Sequence, residues 1–147
     1  MKTIEILLVE DNPGDIMLLS EALERSGLDH RLSLAPDGAA ALDHLFRRGA
    51  RAQAPRPDLI LMDLNLPILN GREVLAELRL DPELDRLPLI IFSGSEWEKR
   101  VLGELGIPEA NYFVKPMSFQ GYLEAADRIR AYCAQLGASV QKPGPTG

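Results

Sequence analysis

A repeated alternation of short apolar runs with segments of helical periodicity is what most constrains the fold of this chain. Ile4 to Val9 is apolar and partly β-branched, and Pro13 to Ser26 then carries Ile16, Leu19 and Leu23 at helical spacing before Gly27. Arg31 to Ala35 alternates as a strand, Asp37-Gly38 makes a turn, and Leu42, Leu45 and Phe46 stripe a second helix. Leu59 to Met62 is a continuous apolar run ending at Asp63. The turn Leu66-Pro67-Ile68-Leu69-Asn70-Gly71 leads from it into a helix with Val74, Leu75 and Leu78. Leu87 to Phe92 predicts a fourth strand and Trp97 to Leu105 a helix closed by Gly106. Tyr112 to Val114 predicts a fifth strand and Ser118 to Leu136 the last helix. Strands this apolar, each followed by a helix, are buried on both faces, which indicates a doubly wound α/β domain around a parallel sheet.

With 147 residues, 46% hydrophobic and 26% charged, the chain has the size and balance of one domain able to fold in water. That domain is expected over residues 1–138, with a mobile tail at 139–147 that begins to break up at Lys142-Pro143-Gly144-Pro145. Residues 47–57 hold Arg47, Arg48, Arg51, Pro55, Arg56 and Pro57, too polar and Pro-rich for a regular element, and are expected as an exposed loop or helix extension. A net charge of −6 argues against nucleic acid as a partner. No apolar run is long enough for a membrane helix. The start Met-Lys-Thr-Ile runs directly into the first strand, and the single Cys133 has no intramolecular disulfide partner, so a cytoplasmic location is expected.

In such a sheet, ligands bind beyond the carboxyl ends of the strands. Glu10-Asp11 follow the first strand, Asp63 the third, Ser93-Gly94 the fourth and Lys115-Pro116 the fifth. Three carboxylates brought together suit a hard cation, with Mg²⁺ favoured where waters and a phosphoryl oxygen complete an octahedron. Lys115 adds a compact positive charge. The Ser93 hydroxyl and the backbone N–H groups after Asp63 and Ser93 can donate to phosphoryl oxygens. Asp63 is then an ionised nucleophile that needs no general base.

Glu10-Asp11, Asp63, Ser93 and Lys115-Pro116, in this order and strand context and joined by Leu66-Pro67 and Asn70-Gly71, resemble the response regulator receiver pattern over about residues 3–136. The resemblance implies a flavodoxin-like (βα)5 fold with strand order 2-1-3-4-5. It implies Asp63 as phosphoacceptor and Mg²⁺ held by Glu10, Asp11, Asp63 and the backbone carbonyl of Asn65, with Ser93 and Lys115 on the phosphoryl group. Tyr112 falls on the family's aromatic switch position, and Lys115-Pro116 on its cis peptide bond. Glu10 stands where many receivers have Asp, and Ser93 where many have Thr. The segments Glu10-Asp11-Asn12-Pro13-Gly14-Asp15 and Asp63-Leu64-Asn65-Leu66-Pro67, with the 47–57 insertion, are similar to stand-alone regulators paired with phytochromes. The partner implied is a sensor histidine kinase, with a bacterial or cyanobacterial phytochrome implied by the narrower resemblance. A homodimer is implied through the fourth helix, fifth strand and fifth helix, the region of Ile107, Tyr122 and Ile129.

The expected protein is therefore a signalling switch with weak phosphotransfer and autodephosphorylation activity and an unknown downstream protein, rather than a metabolic enzyme. A Mg²⁺-dependent phosphatase working through an aspartyl phosphate is the competing class. It needs a carboxylic acid two residues after the nucleophile, where this chain has Asn65. A receiver-like binding module that never takes phosphate is the third reading. His30 and His44 lack partners at ligand spacing and are expected at the surface or its boundary. Phe113 is expected in the core, Cys133 as a buried small hydrophobe or an incidental thiol, and Trp97 as a partner surface or a half-buried anchor.

Overall fold

The computed structural model describes residues 2–94, 103 and 106–141. In chain order the elements are β1 (Ile4–Val9), α1 (Pro13–Ser26), β2 (His30–Ala35), α2 (Gly38–Phe46), β3 (Leu59–Met62), α3 (Gly71–Arg79), β4 (Leu89–Ser93), β5 (Tyr112–Val114) and α4 (Phe119–Gln141). Single 3₁₀ turns lie at Gly49–Arg51, Leu84–Arg86 and Glu109–Asn111. The five strands form one parallel sheet in the order β2-β1-β3-β4-β5, the expected doubly wound α/β fold. The helix expected at Trp97 to Leu105 falls, Gly103 apart, outside the described residues. Trp97 lies there too.

Successive strand residues feed opposite cores, as the period of two requires. Leu7, Val9, Ile60, Met62 and Ile91 pack beneath α2 and α3 with Leu42, Leu45, Val74 and Leu75. Ile6, Leu8, Leu59, Leu61 and Phe92 pack beneath α1 and α4 with Leu19, Leu23, Tyr122 and Ile129. Each such Leu or Ile contributes about 1.5–3 kcal/mol on burial, which is why the central strands read as unbroken apolar runs. Phe113 and Cys133 join the second core as expected.

Several boundaries differ from the sequence expectations. β4 begins at Leu89 rather than Leu87, because Pro88 has no N–H for the ladder and only its carbonyl is used, accepting from Ile60 N. The last helix continues to Gln141, into the segment expected as tail, because no proline interrupts 119–141 and an interior glycine such as Gly137 costs only about 1 kcal/mol. The 47–57 segment is not plain loop. Arg47 closes α2 in the left-handed region at φ 54°, and a 3₁₀ turn follows.

His44, expected near the surface, is 4% exposed. Arg51 explains the difference. Its Nη1 donates to His44 Nδ1 at 3.0 Å and its Nη2 to the Leu34 carbonyl at 3.0 Å, so the insertion straps the sheet's outer strand β2 and covers the imidazole. An edge with its carbonyl occupied in this way is a poorer template for foreign strands. Burial first, and the Arg51 guanidinium second, hold the His44 pKa below its ordinary value.

The residues expected in a dimer contact are in the monomer's own interior: Ile107 is 7%, Tyr122 2% and Ile129 0% exposed. Tyr122 and Ile129, on one face of α4, pack against one side of the sheet, and Ile107 packs in the core on the other side. Among the described residues, no helix is long and apolar enough to cross a membrane.

Candidate functional site

The carboxyl ends of β1, β3, β4 and β5 converge on one cluster. Glu10 follows β1 and is pinned there by its N–H bond to the Ala35 carbonyl at 3.0 Å. Asn12 then caps α1, accepting from the Asp15 N–H at 2.9 Å while its own N–H donates to Glu10 Oε2 at 3.1 Å, and Pro13 supplies a preset φ for the first turn. Asp63 follows β3, with its N–H on the Val9 carbonyl at 3.0 Å. The chain leaves Asp63 through a strained turn in which Leu69 N–H reaches back to the Pro67 carbonyl at 2.8 Å and Ile68 sits at φ 69°. Asn70 starts α3 with a capping box to Glu73. Gly71 must be glycine for α3 to approach the acceptor loop, since a Cβ there would lie 2.7 Å from Leu64 Cα and 2.9 Å from the Asp63 carbonyl.

Asp63 is 5% exposed and its two oxygens are divided between partners. Oδ1 accepts from Asn65 N–H at 3.0 Å and from the Ser93 hydroxyl at 3.2 Å. Oδ2 accepts from Lys115 Nζ at 2.7 Å. Lys115 is held in turn by its own N–H on the Ser93 carbonyl at 2.7 Å. Its ammonium also reaches Glu10 Oε1 at 2.9 Å and Asp15 Oδ2 at 2.7 Å. Oxygens of Glu10, Asp11 and Asp63 all lie within 4.8 Å of one another. That is a donor set of hard oxygens at a spacing a divalent cation can span.

The electrostatics follow from burial against pairing. For Lys115, burial disfavours the charge, but hydrogen bonds to Asp15, Asp63 and Glu10 outweigh it and raise the pKa above the ordinary lysine value. Burial pushes the Glu10 carboxyl up, the Lys115 and Asn12 contacts pull it down, and the Asp63 charge adds to the rise. Tyr122, whose hydroxyl donates to Asp15 Oδ1 at 3.1 Å, is pushed up by burial and by the Asp15 charge. The phenol is a fixed donor across the working pH range.

Glu10, Asp11, Asp63, Ser93 and Lys115 are thus brought together as their strand-end positions required. Asn65 is exposed beside them and presents its N–H to Asp63. Tyr112 lies 4% exposed in the core under α2 and α3, its ring inward. Lys115-Pro116 is trans, not cis: no cis peptide bond occurs among the described residues. The cis expectation came from the family resemblance alone, and the trans isomer is the ordinary preference of X-Pro by about 0.5–1 kcal/mol. Two members of the cluster escaped the sequence reading. Asp15 entered it only within the Glu10–Asp15 segment, with no role of its own, and Tyr122 only within the region implied for a homodimer. The only available signal was an acidic residue one helical turn beyond Asp11.

Carboxylates that can hold a cation, facing a lysine and a buried hydroxyl across the carboxyl end of such a sheet, define a response regulator receiver. Residues 6–127 match the family described as the response regulator receiver domain, and the chain belongs to it. Among curated proteins it is similar to the response regulator Rcp1 of Synechocystis sp., 38% identical over 127 residues, 86% of either chain. Among solved structures, it is similar to the phosphorylated cyanobacterial phytochrome response regulator RcpA, with 38% identity and a TM-score of 0.80 over 89% of this chain and 94% of that one. The Mn²⁺-bound form of Rcp1 gives 37% identity and a TM-score of 0.78 over 88% of this chain and 94% of that one.

Proposed function

We propose that this receiver is cytoplasmic and that Asp63 is its phosphoacceptor, taking its phosphoryl group from a phosphohistidine of a sensor histidine kinase. A phytochrome is the kinase favoured, because RcpA, similar over most of the chain, is a phytochrome response regulator. In the transfer an Asp63 carboxylate oxygen bonds to phosphorus and the P–N bond breaks. Its electron pair returns to the departing imidazole. Mg²⁺ bound by Glu10, Asp11, Asp63 and the Asn65 carbonyl would supply charge neutralisation between the acceptor and the anionic donor. Lys115 and the Ser93 hydroxyl, already on the two Asp63 oxygens, are placed to pass to phosphoryl oxygens once the group is attached. Slow attack of water on phosphorus then releases inorganic phosphate and restores the carboxylate, which makes the protein a timed switch.

Tyr112 is the aromatic group that reports the state of Ser93 to the surface around β5, and output passes by protein contact there. Pairing of two copies through this face would use exposed groups such as Val114 rather than the buried Ile107, Tyr122 and Ile129. Light scattering with and without a phosphodonor tests it; a monomer at high concentration in both states refutes it.

The observation that carries the proposal is the division of the Asp63 oxygens between Ser93 and Lys115 beside the Glu10 and Asp11 carboxylates. The test is intact mass after incubation with a small phosphodonor and Mg²⁺, beside Asp63→Asn. A Mg²⁺-dependent, base-labile phosphoryl adduct on the wild type alone is expected. Its absence refutes the assignment.

A further inference from the structure

Lys115 has three carboxylate partners, and only two of them belong to the group that can hold a cation. Nζ lies 2.9 Å from Glu10 Oε1, 2.7 Å from Asp63 Oδ2 and 2.7 Å from Asp15 Oδ2. The oxygens clustered within 4.8 Å come from Glu10, Asp11 and Asp63; Asp15 is not among them. An ammonium and a divalent cation repel each other and compete for the same lone pairs, so cation entry must weaken the Lys115 contacts to Glu10 and Asp63. Asp15 is the partner that the cation leaves untouched.

Asp15 is itself held in place. It stands in the first turn of α1, where the positive end of the helix favours a carboxylate, and its N–H is fixed on Asn12 Oδ1. Its Oδ1 takes the Tyr122 hydroxyl at 3.1 Å, which leaves Oδ2 turned to Lys115. The hydroxyl is delivered by a rigid ring, buried and stacked on Phe92 with centroids 5.9 Å apart. Asp15 and Tyr122 therefore connect α1, α4 and the end of β5 through one oriented carboxylate.

We propose that Asp15, oriented by the Tyr122 hydroxyl, is a positioning residue that docks Lys115 when a divalent cation occupies Glu10, Asp11 and Asp63. It keeps the ammonium beside the phosphoryl position without letting it hold the metal ligands. The inference rests on the phosphoacceptor reading above. Without Asp15, the ammonium has only the two metal ligands left to bind, and lysine and cation exclude each other.

Mn²⁺ is the probe, with the free ion followed by electron paramagnetic resonance during titration of the full chain. Asp15→Asn is expected to weaken Mn²⁺ binding by about tenfold, the scale of a lost supporting contact around a metal site. Tyr122→Phe keeps the charge and loses only the orienting hydrogen bond, so about threefold is expected. The double variant should match Asp15→Asn, because the hydroxyl acts only through Asp15. Adduct formation by Tyr122→Phe should need more Mg²⁺ for half-saturation yet approach the wild-type rate at saturating Mg²⁺. Tyr122→Phe with wild-type Mn²⁺ affinity would show that Asp15 acts through charge alone and would overturn the positioning role. Wild-type affinity in both variants, even with a lowered melting temperature, reduces the pair to a structural contact and overturns it as well. A wild-type chain that binds no Mn²⁺ and forms no adduct refutes the phosphoacceptor reading itself, and that failure is visible before any substitution is made.

Discussion

Lys115 Nζ lies 2.7 Å from Asp63 Oδ2, a contact between the ends of β5 and β3 that spans β4 in the sheet and 52 residues in the chain. Its ammonium is shared among three carboxylates, those of Glu10, Asp15 and Asp63. Lys115→Met leaves Glu10 and Asp63, both 5% exposed at the side chain, as uncompensated buried charges. Removing one partner of a buried pair costs about 3–5 kcal/mol. Urea denaturation should show a loss of this order, partly recovered by added Mg²⁺, because a cation bound only by the folded state stabilises it. An unchanged midpoint without Mg²⁺ would mean the ammonium is not compensating the carboxylates.

The Ser93 hydroxyl is fully buried and donates to Asp63 Oδ1 at 3.2 Å. Ser93→Ala should destabilise the chain by about 1 kcal/mol, the net value of one hydrogen bond. A double-mutant cycle with Asp63→Asn isolates the pair, and a coupling indistinguishable from zero contradicts it.

Stability should also carry an acid limb set by His44. Its folded pKa is lowered by burial and by Arg51, so below an ordinary histidine value of about 6.5 the unfolded chain takes up a proton that the folded chain refuses. The unfolded state binds more protons, and stability falls as pH drops from about 6.5 toward the folded pKa. Arg47 and Glu5 also act on the ring, with opposite signs. Denaturation midpoints measured from pH 7.5 to 5 should show this slope, and His44→Gln should flatten it. An equal slope in the variant would assign the acid limb to other groups.

Ile68 is β-branched, exposed and held at φ 69° in the loop after Asp63. A left-handed conformation costs an L-residue about 1–2 kcal/mol and glycine almost nothing, while the greater freedom of glycine in the unfolded chain costs about 0.4–1 kcal/mol. Ile68→Gly should therefore be neutral or slightly stabilising. A loss above about 1 kcal/mol in thermal denaturation would show that the Ile68 side chain, not its backbone, holds the loop.

Much of the scaffold was legible. β1, β3, β5 and α1 fall where the apolar runs and the Pro13 and Gly27 signals put them, because each is specified by spacing within a few residues. Glu10, Asp11, Asp63, Ser93 and Lys115 were legible for the same reason, since a strand's end tells where its next side chain points. His44 was not. A histidine on a short helix has the same local pattern whether exposed or buried, and it is the insertion folded back over it, through Arg51 and the Pro55 backbone, that decides that it is covered.

Local order alone determined the five strands, their alternation with helices and the set of polar groups at the strand ends. The sequence could do this because periodicity is a property of neighbouring residues. Which of those groups share an atom was decided by the packed sheet. Lys115 meets Asp15 across 100 residues and Tyr122 meets Asp15 across 107, through helices seated on the same core. Contacts at such separation follow from how α1 and α4 dock on β1, β3 and β5, and that geometry is fixed by packing in three dimensions, not by any spacing along the chain.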